Sequence, residues 1–123
     1  MVVVDALVLV DALLIDGPAR ARLADANIQA PDLIDAELLS VLRRLVLAGR
    51  LLEQHALRAL ITSQQLGMRR HISRHLWPRA WELRTNLTAY DALYVALAEQ
   101  LGATLLTADA AAAGLPACFA PWK

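Results

Sequence analysis

Four carboxylates are spaced so that chemistry could be shared among them: Asp5, Glu37, Asp91 and Asp109. Asp91 is the most unusual. It is the only charge in the run Thr88-Ala-Tyr-Asp-Ala-Leu-Tyr-Val-Ala-Leu-Ala98. A helix so apolar on every side belongs in an interior, where a lone carboxylate is costly unless something neutralises it. Its alternative role is an exposed first-turn aspartate favoured by the helix dipole. Asp5 follows an apolar β-branched run and precedes a helical one, so it is a site residue or a plain N-cap. Glu37, three residues after Ile34 and four before Val41, has its carboxylate beside an apolar helical stripe. An acid in an early helical turn is the ordinary explanation for it. Asp109, after Thr-Leu-Leu-Thr-Ala, serves equally as a turn residue.

Gathered in one crevice, four acids repel each other and hold protons unless divalent cations neutralise them. Hard oxygen ligands without thiolate or imidazole select Mg²⁺ or Mn²⁺ over zinc. The one cysteine, Cys118, excludes an internal disulfide and any multi-cysteine metal site. His71 and His75 lie four apart in a basic stretch that no acid or Cys completes, which suits a surface or interface role. Neither Gly-x-Gly-x-x-Gly nor Gly-x-x-x-x-Gly-Lys-Ser/Thr occurs, so both nucleotide-cradling loops are missing. No Gly-x-Ser-x-Gly elbow occurs either. The single lysine, Lys123, argues against a phosphoacceptor receiver domain, which needs an internal one. A divalent cation in an acidic crevice beside an arginine-rich segment points to phosphodiester hydrolysis.

The elements that must position these acids follow from length and pattern. At 123 residues the chain is expected to form one domain over positions 1–123. Apolar residues make up 58%, among them 25 Leu and 24 Ala, against 5% aromatic, which is the mixture of helix-rich packing. Twelve basic groups cancel twelve acidic ones, which excludes a generally basic nucleic-acid binder. The balance conceals segregation: a net −5 over 1–42, +7 over 43–84 and −2 over 85–123. An acidic pocket beside a basic rim fits this, and so do two ordinary solvated faces. The apolar N-terminus lacks a basic flank, Asp5 and Asp11 interrupt it, and no stretch has the length of a membrane span. A cytoplasmic protein with no membrane association is expected.

Val2–Val4 predicts a buried parallel strand and Ala6–Ile15 a helix. Pro18 opens a second helix to about Ala26, and Asp32 is the expected N-cap of a third that stops near Gly49. A fourth runs from about Glu53 to Leu66 with Gly67 as its C-cap. Residues 68–76 are irregular and basic, with room for a short strand. Pro78 begins a short helix, Thr88 caps one ending at Gly102, and residues 103–107 are a second strand. A helical turn at 110–113 and a last short strand at 118–120 follow. Strands alternating with helices predict an α/β sandwich around a small, mostly parallel sheet. Ligands bind such folds beyond the carboxyl ends of the strands, where Asp5 and Asp109 fall.

Three blocks resemble PIN-domain ribonucleases of the VapC toxin type, over nearly the whole chain. Val-Val-Val-Asp5-Ala-Leu-Val-Leu-Val resembles the opening strand and its first acid. Ala30-Pro-Asp-Leu-Ile-Asp-Ala-Glu37-Leu-Leu-Ser-Val-Leu-Arg-Arg resembles the helix bearing the second. Leu87-Thr-Ala-Tyr-Asp91-Ala-Leu-Tyr-Val-Ala-Leu-Ala, with Leu106-Thr-Ala-Asp109, resembles the block carrying the third and fourth, and is the most specific. The resemblance implies a three-layer α/β/α PIN-like fold and a Mg²⁺-dependent endoribonuclease, with Mn²⁺ as substitute. It implies a toxin that is usually a homodimer and is held inactive by a cognate antitoxin. The substrate it implies is RNA, with tRNA and rRNA as candidate classes. Asp5, Glu37, Asp91 and Asp109 become the catalytic and metal-binding quartet, and Thr107 matches a Thr-x-Asp motif whose hydroxyl supports a carboxylate.

Phosphate contacts are expected from Arg43, Arg44, Arg69, Arg70, Arg74, Arg79 and Arg84. Two positions depart from the family pattern. Leu7 stands where a small polar residue is common, and Ala110–Ala113 follows the last acid where a polar or basic residue is common. Leu7 favours a second reading, a catalytically weak PIN-like module that mainly binds RNA or a protein partner. A plain structural or dimerising α/β domain, with no metal affinity, is the third.

Overall fold

The computed structural model describes residues 1–108 and 119–121. Val2–Val4 forms β1, and all three valines are buried, as a strand covered on both faces requires. Asp5 ends it and caps α1 (Ala6–Leu14), its Oδ1 accepting from the Val8 backbone N–H at 2.9 Å. This helix buries Ala6, Val8, Leu9, Val10 and Ala12, so its wide apolar surface is used as packing. Pro18 occupies the first turn of α2 (Pro18–Ala24).

The next element corrects the sequence reading. Residues Ile28–Pro31 form a strand, β2, where Pro31 and Asp32 were expected to open a helix. The helix, α3 (Ile34–Leu47), begins two residues past Asp32, with Leu33 at its N-cap and no side-chain cap. Asp32 instead donates its backbone N–H to the His71 carbonyl at 2.8 Å, and its Oδ1 accepts from Ser73 Oγ at 2.5 Å. With one β-branched residue and a proline, Ile-Gln-Ala-Pro has little strand propensity of its own. Pairing with a neighbour on each side makes it a strand, and the proline sits at its last position.

After α3 come α4 (Glu53–Gln65), β3 (Arg69–His71) and a 3-10 turn at Ser73–Leu76. Gly67 is not the left-handed cap expected for α4: the helix closes at Leu66 in an extended conformation, φ −67° and ψ 139°. Then follow α5 (Trp77–Glu82) and α6 (Ala89–Leu101). Thr88 caps α6, accepting from the Asp91 N–H at 3.2 Å. At the other end Gly102 takes φ +61°, which lets its N–H reach Glu99 O (3.2 Å) and that of Ala103 reach Ala98 O (2.9 Å). The chain turns there directly into β4 (Thr104–Thr107). The last strand, β5, is Phe119–Pro121, one residue beyond the expected 118–120, and the helical turn expected at 110–113 lies outside the described residues.

The five strands lie in the order β3-β2-β1-β4-β5, every pair parallel. On one side α1 packs on α2, α3 and α4; on the other α6 lies across β1, β2 and β4 and carries α5. The result is a three-layer α/β/α sandwich around a small parallel sheet. Leu9, Ile34, Val95, Leu97 and Leu105 are among its fully buried side chains. The chain runs outward from β1 through β2 to β3, then returns to the other flank of β1 as β4. The order reverses between β1 and β4, and a doubly wound sheet opens its crevice at that point, beyond the carboxyl ends of the strands. No described helix is long and apolar enough to cross a membrane.

Candidate active site

Asp5 and Thr107 stand on either side of that reversal. Val4 and Leu106 are paired in register, and the Asp5 N–H donates to the Leu106 carbonyl at 3.1 Å. The side chains continue the match: Thr107 Oγ1 donates to Asp5 Oδ2 at 2.5 Å, and the Ala108 N–H reaches the same oxygen at 3.2 Å. With Val8 N–H on Oδ1, both oxygens of Asp5 are held. Asp5 therefore is an N-cap and also a carboxylate fixed at the mouth of the crevice; the two roles do not compete. Thr107, 3% exposed, is a strand residue whose hydroxyl has been turned to the acid.

Glu37 and Asp91 arrive from the two helical layers. Glu37, half-buried in the first turn of α3, accepts from the Tyr94 hydroxyl at Oε1, 2.6 Å away. Asp91, also half-buried, lies in the first turn of α6, while Ala92 and residues Tyr94–Ala98 are buried behind it. Tyr94 is three residues on from Asp91, so both lie on one helix face. Tyr94 is 3% exposed. Burial pushes its phenol well above the usual range, the Glu37 hydrogen bond raises it further, and the negative charges of Glu37, Asp5 and Asp91 add to both. Three acids from three separate segments thus act on one buried hydroxyl. That hydroxyl stays protonated throughout the physiological range and serves as a donor.

Tyr94 was not among the residues singled out from the sequence, where it passes as one more large side chain in an apolar helix. The available signal was its spacing from Asp91. Asp109 lies two residues past Thr107, outside the described residues.

Among the described residues, no three His, Cys, Asp or Glu side chains are grouped so that they could hold a metal ion as placed. The donor chemistry nevertheless fits a hard divalent cation: Asp5, Glu37 and Asp91 offer carboxylate oxygens with no thiolate or imidazole between them.

The arginines divide into two groups. Arg70 is committed to Asp35, its Nε at 2.8 and 3.0 Å from the two carboxylate oxygens. Arg79 pairs with Glu99 at 2.7 Å and with Glu82 at 3.6 Å. Arg84 donates to the Trp81 carbonyl and lies 4.7 Å from that ring's centroid. Arg43, Arg44, Arg69 and Arg74 are exposed, outside the ion pairs seen among the described residues. Arg74 follows the carboxyl end of β3, on the edge of the sheet that carries Asp5. His75 is exposed; His71 is half-buried and bonded through Nε2 to Gln29 Oε1 at 2.7 Å. Burial, followed by the nearby Arg69 charge, holds the His71 pKa below its ordinary 6.5.

The PIN domain family model matches residues 2–116. Ribonuclease VapC9 of Mycobacterium tuberculosis is 48% identical over 109 residues, spanning 89% of this chain and 86% of the relative. Ribonuclease VapC1 of the same organism is 45% identical over 122 residues, spanning 93% and 92%. A chain from a structure described as a toxin-antitoxin complex from Klebsiella pneumoniae superposes with a TM-score of 0.71 over 100% of this chain and 98% of that one. At 18% identity that likeness speaks for the fold. The chain belongs to the PIN-domain family, in its VapC ribonuclease branch.

Proposed function

We propose that this protein is a Mg²⁺- or Mn²⁺-dependent endoribonuclease, the toxin of a toxin–antitoxin pair, with residues 1–123 forming one PIN-like domain. The observation that carries the reading is the placement of Asp5, fixed by Thr107 at the chain reversal of the sheet, with Glu37 bonded to Tyr94 on the helix that carries Asp91. The names of its ribonuclease relatives support the same activity.

Asp5, Glu37, Asp91 and Asp109 would hold the cation. When bound, it polarises the scissile phosphate and activates water. The chain's own part is to keep these carboxylates oriented. Thr107 and the Ala108 N–H fix Asp5, and the α3 and α6 backbones carry Glu37 and Asp91 to it. Exposed Arg43, Arg44, Arg69 and Arg74 grip the RNA backbone without reading sequence. Arg70, Arg79 and Arg84 serve the protein's internal contacts first.

The antitoxin would cover apolar surface around α4. One groove of about 670 Å³ runs between α1, α2 and α4, with Leu13, Leu23 and Leu66 on its walls and Arg20, His55 and Arg58 at its rim. An amphipathic helix with acidic flanks suits it. A homodimer and a cytoplasmic location complete the reading.

Leu7 favours the second reading, a weakly catalytic module that mainly binds RNA or a protein partner. It is 53% exposed in the first turn of α1, two residues from Asp5. One experiment separates the readings. Cleavage of a tRNA pool and of total RNA is followed with Mn²⁺ or Mg²⁺ and with EDTA, beside thermal melts with and without Mn²⁺. The enzyme reading expects metal-dependent cleavage and a Mn²⁺-induced rise in Tm that is larger at pH 8 than at pH 5, since protons compete for the carboxylates. It also expects the rise to vanish in Asp5→Asn/Asp91→Asn. Equal shifts in both proteins put the ions elsewhere and remove the acidic-site model.

A further inference from the structure

One side chain beside the acids is given no task of its own by the proposed function. Tyr94 is buried to 3% exposure on a helix otherwise packed with Ala, Val and Leu, yet it carries a hydroxyl into the interior. Phenylalanine would fill the same space without an oxygen to satisfy. Among the described residues the hydroxyl's hydrogen-bond partner is the Oε1 of Glu37 at 2.6 Å, and a hydroxyl meeting a carboxylate donates to it. The bond spans 57 positions in sequence and ties α3 to α6. Since Tyr94 shares a helix face with Asp91, the bond also fixes the acid of one helix relative to that of the other.

We propose that Tyr94 is a positioning residue of the acidic site, holding Glu37 by Oε1 in one rotamer beside Asp91 and leaving Oε2 as the oxygen outside that bond. A glutamate has three side-chain torsions, and in a half-buried position between two helices nothing else described fixes its carboxylate. Partners of this kind, one shell removed from a cation, orient a ligand and are commonly worth about 10–100-fold in metal affinity. The inference rests on the reading that Glu37 belongs to the cation site.

The test is Mn²⁺ binding by calorimetry to wild type, Tyr94→Phe, Glu37→Gln and the double variant. Tyr94→Phe keeps the buried ring but loses one hydrogen bond to a carboxylate, so it is expected to stay folded with a modest fall in Tm without metal and to bind Mn²⁺ about tenfold more weakly. In the Glu37→Gln background the same replacement is expected to cause no further loss, which a general packing role would not produce. In cleavage assays kcat falls while KM for RNA stays near wild type, because Tyr94 is buried away from the polymer. A second measurement needs no variant: the Tyr94 hydroxyl proton, shielded from solvent, gives a slowly exchanging NMR signal that shifts on adding Mg²⁺. Unchanged Mn²⁺ affinity in Tyr94→Phe, or a hydroxyl signal indifferent to Mg²⁺, overturns the proposal. Failure of the site itself is separate, because then Asp5→Asn/Asp91→Asn would bind Mn²⁺ as wild type does.

Discussion

Replacing Thr107 with valine removes one oxygen from a buried strand residue and nothing else of its shape. That oxygen donates to Asp5 Oδ2 at 2.5 Å, at the point where the chain order of the sheet reverses. A hydrogen bond to a charged group contributes about 1.5–3 kcal/mol. Ala108 N–H still reaches the same oxygen at 3.2 Å, and Asp5 is only half-buried, so the lower part of that range applies. The expected loss is about 1.5–2 kcal/mol, equivalent to a fall in Tm of roughly 5–10 °C for a chain of this size. The same change frees the Asp5 carboxylate to rotate, and Mn²⁺ affinity is expected to fall about 10-fold or more. Thr107→Ser is the control. It loses a buried methyl, worth about 0.8 kcal/mol, but keeps the hydroxyl and should keep the metal affinity. Paired melts and calorimetry on the three proteins decide the matter. A valine variant that melts within about 1 °C of wild type and binds Mn²⁺ equally well would show that the Thr107–Asp5 bond contributes nothing in solution, and the account of how Asp5 is held would fail.

Three further outcomes are expected. Asp91→Asn abolishes RNA cleavage while the metal-free protein melts at or slightly above the wild-type temperature, because one charge leaves a crowded acidic corner; undiminished metal-dependent cleavage would remove Asp91 from the site. Arg69→Gln/Arg74→Gln weakens RNA binding and reduces the slope of log K against log salt by up to about 1.4, at about 0.7 per single-strand phosphate contact. Adding Arg70→Gln should change that slope little and lower stability instead, since Arg70 is bonded to Asp35; filter binding at several salt concentrations reads the first effect and melts the second. His71 has a folded pKa below its unfolded 6.5, so the unfolded chain binds the proton more tightly. Its contribution to stability is complete above pH 6.5, declines as pH falls below that value and levels off under the folded pKa. Urea melts between pH 5 and 7.5 should show that decline, and His71→Gln should flatten it.

The acids proposed for the site were legible in the sequence because a charge set in an apolar run is conspicuous. Asp91 stands alone in an apolar helix and Asp5 follows three valines, and no folding is needed to see either. The caps at Thr88 and Gly102 were readable for a similar reason, since each is decided within a few residues of backbone. By contrast, β2 was invisible. Ile28-Gln29-Ala30-Pro31 becomes a strand because β1 and β3 flank it, and hydrogen bonds to partners some 26 and 40 positions away leave no local trace. The misplaced start of α3 has the same origin: tertiary pairing overrides a weak local preference. Segregated charge could be read by counting, but not the commitment of Arg70 and Arg79 to internal partners, which takes a fold to bring Asp35 and Glu99 beside them. Tyr94 shows the division most clearly. Its position on the Asp91 face follows from helical spacing alone, whereas its hydrogen bond to Glu37 exists only because the fold brings α3 and α6, from the two helical layers, together across 57 positions of sequence.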